Sequence, residues 1–303
     1  KTMEAYADTK AKLFSDLPAD GVAVVNLCDP WTARILAHCQ ARVVGFALAE
    51  DLALLDETEE GAALLQRCER ILTADQLETT TDGTLNFELS AGGTTVLPVQ
   101  SQVIGSFNVN NLLAAAGVAL AMGYALEELV GPLEAFTGVV GRQEWVDLGQ
   151  AYRVMLDFAH TPAALQNLLA TVRPLTEGKL YLVLAVAGDR DRVKRPEMAT
   201  IAAEYADHII LTLQKTGVES PQQILDDLQE GLDERSYDVV AVRPEAIRVA
   251  VNQAEAGDLV VIIGLMSPDH LSMGGRDLPY NDRTATELAI VERQMREILE
   301  AAD

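Results

Sequence analysis

Three cysteines and four histidines are all that a chain of 303 residues offers to disulfide or soft-metal chemistry. Cys28, Cys39 and Cys68 are odd in number, confined to the first quarter and without C-x-x-C spacing, so they read as ordinary buried or half-buried thiols. The histidines are scattered and form no metal cluster. Positive charge is scarce as well: 23 Lys and Arg against 46 Asp and Glu leave a net charge of −23. Without a basic stripe to displace counterions, a nucleic-acid partner is not expected. No apolar run approaches the roughly 18–20 uncharged residues of a membrane span, and no charged-then-apolar leader opens the sequence, so no membrane partner and a cytoplasmic location are expected. The acidic surplus reads as a solubility feature. One motif is missing too: G-x-x-x-x-G-K-[ST], the phosphate loop, occurs nowhere.

What is present is apolar residue in quantity, 49% of the chain, enough for a large core in two domains. From Ala151 onward strands and helices alternate. "AYRVMLDFA", "KLYLVLAVAG", "DHIILTL", "YDVVAV" and "DLVVIIG" read as strands. "TPAALQNLLATVRPL", "RPEMATIAAEYA", "SPQQILDDLQEGL", "RPEAIRVAVNQA" and "RTATELAIVERQMREILEAA" read as helices. That alternation predicts an α/β fold with a mostly parallel sheet covered on both faces, and ligands at the strands' carboxyl ends. The loops there are Asp157–Pro162, Gly188–Arg195, Leu213–Ser220, Arg243–Pro244 and Gly264–Asp269. The first half differs. "MEAYADTKAKLFSDL" has helical periodicity, "GVAVVNLCDP" and "ARVVGFA" read as strands, and residues 70 to 105 alternate like antiparallel hairpins. An Ala-rich helix, "NVNNLLAAAGVALAMG", follows from an Asn-rich cap, and then a second, "ALEELVGPLEAF". A boundary is expected near "GVVGRQEW", giving domains 1–140 and 141–303.

The most unusual stretch is "LAVAGDRDRVKRPEM". Gly188 permits a sharp exit from a strand, and backbone N–H groups near the following helix start can face an anion. The loop clusters Arg190, Arg192, Lys194 and Arg195; Arg190 and Arg195 offer planar forks to a carboxylate or phosphate, and Lys194 a point charge. A solvated, self-neutralising loop accounts for the same alternation of signs. In "DFAHTP", Asp157 could accept from ribose hydroxyls and His160 could cap or orient; equally, Asp157 with Thr161 could cap the helix at Pro162. In "FNVNN", Asn108 and Asn111 stand one turn apart and could both face an adenine-like edge, although N-capping explains Asn108 as well.

Taken in order, "MEAYADTK", "VVNLCDP", "GSFNVNNLLAA", "GVVGRQE", "DFAHTPAAL", "GDRDRVKRPEM" and "YNDRTA" resemble the Mur ligases over essentially the whole chain. The likeness is to the MurE type, which adds the third amino acid to UDP-N-acetylmuramoyl-L-alanyl-D-glutamate in peptidoglycan synthesis. The resemblance implies part of a central ATPase domain followed by a Rossmann-like C-terminal domain. It implies ATP and magnesium, an acyl phosphate made from the acceptor's carboxylate, and attack by an incoming amine through a tetrahedral intermediate. Residue by residue, it implies that Lys10 becomes carbamylated and holds magnesium. Asn108 and Asn111 would meet the adenine, Arg142 the ATP phosphates, Asp157 the ribose and His160 the ATP neighbourhood. Arg190 would meet the carboxylate of the incoming amino acid, with Lys194 and Arg195 near the nucleotide and acyl phosphate.

The sequence departs from the family pattern on the amino-acid side. Where most members have D-N-P-R, this chain in register has Gln214, Lys215, Thr216 and Gly217. Where G-K-G-x-E is usual it has "GLMSP": Gly264 remains, but Pro268 stands in place of a glutamate that would bind a distal ammonium. Residue 1 aligns with the middle of the central domain, so the phosphate loop and most of the UDP-sugar site are expected to be missing and the fragment alone inactive. Catalysis by a longer, monomeric protein acting on a UDP-N-acetylmuramoyl peptide and an amino acid is the leading expectation. A non-catalytic nucleotide-binding relative, or a ligase acting on another peptide or polymer, are the alternatives.

Overall fold

The computed structural model describes residues 2–80, 83–232, 237–264 and 269–302, and its contacts divide the chain into two units, Lys1–Thr137 and Gly138–Asp303. The first unit runs α1 (Met3–Ser15), β1 (Val22–Asn26), α2 (Thr32–Leu36), β2 (Arg42–Leu48), α3 (Ala49–Asp56) and α4 (Glu59–Arg67). It continues through β3 (Arg70–Thr79), β4 (Thr84–Ser90), β5 (Val96–Ile104), α5 (Ser106–Ala121) and α6 (Leu126–Ala135). Its sheet has the order β1-β2-β3-β4-β5. The first three strands are parallel, as their helical crossovers require, and the last three are antiparallel. α5 and α6 cover one face, where Leu72, Phe87 and Leu89 pack with Val109, Leu112, Leu113 and Leu129. Each such fully buried side chain contributes about 1.5–3 kcal/mol.

The second unit contains β6 (Glu144–Trp145), β7 (Arg153–Asp157), α7 (Pro162–Val172), β8 (Leu180–Leu184), α8 (Lys194–Tyr205) and β9 (His208–Leu211). After these come α9 (Pro221–Gln229), β10 (Tyr237–Val239), α10 (Arg243–Gln253), β11 (Leu259–Ile263), β12 (His270–Met273), β13 (Arg276–Pro279) and α11 (Asp282–Ala302). The sheet order is β10-β9-β8-β11-β7-β6, parallel throughout except for the short edge pair β6/β7. Every residue of β8 and β11 is buried, which is why both read as unbroken apolar runs rather than alternations. β11 is the last of the parallel strands in sequence but lies between β7 and β8, so the carboxyl ends of β7, β8 and β11 flank the point where the winding reverses.

Three local readings of the sequence need correction. α8 starts at Lys194, so Lys194 and Arg195, both counted in the expected loop Gly188–Arg195, belong to its first turn. The cap of α5 is Gly105, with φ +81°, and not Asn108, which lies inside the first turn and donates its amide to the Ile104 carbonyl at 2.8 Å. The β12/β13 hairpin was not anticipated. Gly274 and Gly275, both with positive φ, form its two-residue turn, the backbone pattern that a tight hairpin needs.

Candidate functional site

At the end of β7, Asp157 accepts two backbone N–H bonds, from Gln143 at 2.9 Å and Ala159 at 2.7 Å. Burial raises its pKa, and these two donors and Arg142 act in the opposite direction. Thr161 alone caps α7, through Ala164, so Asp157 shapes the turn before the helix instead of capping it. Because Asp157 ties down Gln143, the "GVVGRQE" segment lies against β7, and the Arg142 guanidinium sits 4.4 Å from the Phe158 ring centroid. Arg142, Asp157 and Phe158 line a cleft of about 270 Å3 together with Glu144, Asn281, Asp282 and Arg283. The second half of the cleft comes from "YNDRTA". There, fully buried Arg243 bonds both Asp282 oxygens, at 2.8 and 2.6 Å, and the Ile263 carbonyl at 3.0 Å, which fastens the start of α11 to the end of β11. Arg283 is held by Glu144 and by Glu287. Burial and the neighbouring Asp282 carboxylate push the Tyr280 hydroxyl well above the ordinary tyrosine value.

The neighbouring loop joins this cleft through a short path. The His160 ring meets the edge of Phe158 at 5.2 Å, and the Lys194 ammonium donates to the His160 carbonyl at 2.8 Å. Burial, with the like charges of Arg190 and Arg195, lowers the pKa of Lys194, while Asp191 opposes them. Arg190 is exposed and has no hydrogen-bond or carboxylate partner among the described residues. Arg195 is different. Its side chain is wholly buried and bonds Asp227, Glu219 and the Ala187 carbonyl, so it does not offer the open fork expected of it. A cation in the first turn of a helix opposes the macrodipole, and two carboxylates offset that cost here. Arg192 also bonds Asp227, through both oxygens.

The expected anion cradle of backbone N–H groups is largely taken. Gly188 donates to the Lys215 carbonyl at 2.6 Å, Asp189 to Glu219 at 2.8 Å and Val193 to Asp191 at 3.1 Å. A Cβ on Gly188 would lie 2.0 Å from the Thr216 carbonyl oxygen, so only glycine lets the two loops dock. Asp189, at φ +55°, in turn accepts from Val218.

The loop after β9 receives the unanticipated hairpin: Lys215 bridges Ser272, and Thr216 bonds both Ser272 and Gly274. Lys215 itself is exposed. Gly264 is buried at φ +100°, and a Cβ there would stand 2.2 Å from the Ala185 carbonyl and 3.3 Å from the Gln214 amide nitrogen. Gln214 is 2% exposed, and neither polar atom of its side chain has a partner among the described residues. Pro268 lies outside the described residues.

In the first unit Asn111 donates to Asn108 at 3.0 Å, so the two amides engage each other and do not jointly present free edges to one base; Asn111 is the exposed member. Lys10 is exposed on α1, its ammonium 5.5 Å from the Tyr6 ring centroid. Sequence reasoning passed over Asp227, Glu219, Arg243 and Asp282. The clue available was that "ILDDLQ" sets Asp227 on the buried face of an otherwise amphipathic helix.

The second unit is an open, mostly parallel α/β domain whose cleft is lined by residues at the end of β7 and the start of α11. The Mur ligase middle domain matches residues 1–119, and the Mur ligase glutamate ligase domain matches residues 141–265. The chain belongs to the Mur ligase family. Among its relatives is the UDP-N-acetylmuramoyl-L-alanyl-D-glutamate–2,6-diaminopimelate ligase of Bacillus cereus, 34% identical over 97% of this chain and 57% of that protein. The same-named protein of Parasynechococcus marenigrum is 36% identical over 97% and 57%. A solved structure of that name superposes with a TM-score of 0.58 at 29% identity, covering 97% of this chain and 57% of the other. The chain thus spans between half and two thirds of the length of these relatives.

Proposed function

We propose that this chain carries the nucleotide-facing and amino-acid-facing loops of an ATP-dependent amide ligase that extends a UDP-N-acetylmuramoyl-L-alanyl-D-glutamate acceptor by one amino acid. The observation that carries the reading is the Lys194 to His160 carbonyl bond of 2.8 Å, which joins the β8 loop to the loop lining the Arg142–Asp157 cleft. Family membership and the names of the relatives support the same reaction. ATP supplies the phosphoryl group: a carboxylate oxygen of the acceptor attacks the γ-phosphorus and ADP leaves. The incoming amine then attacks the acyl carbon, phosphate leaves and the nitrogen gives up a proton.

The residues' part is binding and electrostatics. Asp157 keeps a lone pair on each oxygen for a ribose hydroxyl. Arg142, stacked on Phe158, offers its fork to phosphate, and Lys194 holds positive charge where negative oxygen gathers. Arg190 remains to take the carboxylate of the amino acid, with Lys215 and Gly264 at the neighbouring strand ends. Magnesium is another matter: no group of three His, Cys, Asp or Glu suited to a metal occurs among the described residues, and an unmodified Lys10 is itself a cation. Lys10 would suit a metal only as a carbamate.

No helix among the described residues is long and apolar enough to cross a membrane. A cytoplasmic location goes with the reading. Phosphate release by the full-length protein, supplied with ATP, the acceptor and each amino acid in turn, should be activated by at least one of them. Silence across the panel refutes the reading.

A further inference from the structure

Four charged side chains from three separate segments close a clamp behind the exposed loop. Asp227, on α9, is 7% exposed and takes Arg192 through both oxygens, at 2.9 and 3.0 Å, and Arg195 at 2.8 Å. Gln223 adds a fourth donor at 2.8 Å. Glu219, from the loop after β9, accepts from Arg195 Nη2 at 3.1 Å and also accepts the Asp189 N–H at 2.8 Å. The loop between β8 and α8 is therefore held at Asp189, Arg192 and Arg195. Arg190 and Asp191 project between these fixed points, and Lys194 bonds the His160 carbonyl from the same turn. An unattached loop of this length would sample many positions, and each immobilised arginine would otherwise cost rotamer entropy on binding.

We propose that Asp227 and Glu219 are positioning residues: they do not touch substrate, but they hold the β8 loop so that Arg190 meets the anionic end of the incoming amino acid. The inference rests on the ligase reading for the identity of that anion, and on the clamp geometry alone for the ordering of the loop. Several carboxylates border this region, Asp189, Asp191, Glu219 and Asp227, yet Asp189 is spent on the Val218 N–H and Asp191 on the Val193 N–H. Among the described residues, Asp227 and Glu219 are the carboxylates that bond Arg192 and Arg195. Asp227 is held at about 2 chiefly by Arg192, in accord with a carboxylate that stays charged at any working pH.

The test is Asp227→Asn, which keeps the shape and removes the charge, compared with Val251→Ala, a core change on α10 that loses stability without approaching the loop. In the full-length protein the KM for the activating amino acid should rise about tenfold or more in Asp227→Asn, with kcat kept within about threefold, and Val251→Ala should leave KM alone. Amide hydrogen exchange on the chain itself should show Asp189 and Val193 losing protection in Asp227→Asn and not in Val251→Ala. Glu219→Gln, at the less buried end of the clamp, should move both readouts the same way by less, which covers the case in which Asp227→Asn fails to fold. Unchanged KM and unchanged loop protection, in a variant as destabilised as Val251→Ala, overturn the proposal. A wild type silent with every amino acid would instead refute the ligase reading, and the exchange result would then decide the clamp.

Discussion

Replacing Gln214 with methionine should make the protein more stable. The Gln214 side chain is almost fully buried past the end of β9, beside Gly264, and its Oε1 and Nε2 have no hydrogen-bond partner among the described residues. A buried amide in that condition costs about 1–3 kcal/mol on mutational scales. Methionine has the same unbranched length, so the change removes two polar atoms without opening a cavity or forcing a branch against the Ala185 carbonyl. A gain of about 1–2 kcal/mol follows, which in a protein of this size is a rise in Tm of about 2–8 °C. Denaturant and thermal melts of the wild type and of Gln214→Met measure it directly. Gln214→Glu is the control: it places an ionisable group at the same buried point and should lower stability by about 2 kcal/mol or more. If methionine destabilises, the amide has a partner, such as an ordered water, and the reasoning fails. A variant that is more stable yet less active would indicate that the amide is kept for a ligand.

Asp227 makes stability depend on acid. Its folded pKa of about 2 lies below the ordinary aspartate value, so the unfolded chain takes the proton first. The stabilisation should be full above about pH 4 and lost as pH falls toward 2; about 1–2 kcal/mol is at stake, because half-exposed Arg192 is screened. Melts between pH 2 and 6 should show this slope in the wild type and a shallower one in Asp227→Asn, and equal slopes would contradict it. Gly188→Ala should cost about 2–4 kcal/mol, since the new methyl would have to displace the Thr216 backbone, and a loss below about 0.5 kcal/mol would show that the loops separate freely. Lys10→Ala should abolish amino-acid-dependent phosphate release in the full-length protein and Lys10→Arg should not restore it, because a guanidinium forms no carbamate; an active arginine variant would rule the carbamate out.

The layered α/β order was legible because β8 and β11 are buried on both faces and the helices between strands carry a 3.6-residue period. The loop after β7 that lines the cleft was legible for the same reason: once strands were placed, their carboxyl-end loops followed. The direction of individual side chains was not. Arg192 and Arg195 look neutralised by Asp189 and Asp191 on the page, yet their partner is Asp227, 35 and 32 residues further on. Counting Arg195 in the loop hid that it sits in the first turn of α8 with its side chain buried. Asn108 was misread for a similar reason, as Gly105 took the cap by its positive φ and released the asparagine for a local backbone bond. The "MGGRD" turn carried a hairpin signal, but its flanking strands are short and largely exposed, with little apolar alternation to mark them.

Charge allocation decides which cations can serve a substrate. On a chain of net charge −23 an anionic acceptor is repelled at long range, and attraction must come from nearby cations that are not already matched. Of the four basic residues between Gly188 and Pro196, two are consumed by Asp227 and Glu219, and Lys194 is bound to a carbonyl, which leaves its charge uncancelled. Arg190 and Lys194 therefore supply the local positive field, with Arg142 across the Phe158–His160 path. At physiological salt the screening length is about 8 Å, so this field reaches only a ligand already at the strand ends. Arg190 is the exposed member and Lys194 the half-buried one. Added salt should thus weaken what Arg190 contributes far more than what Lys194 does, and the β8 loop would bind its anion by fit at short range, with little help from steering.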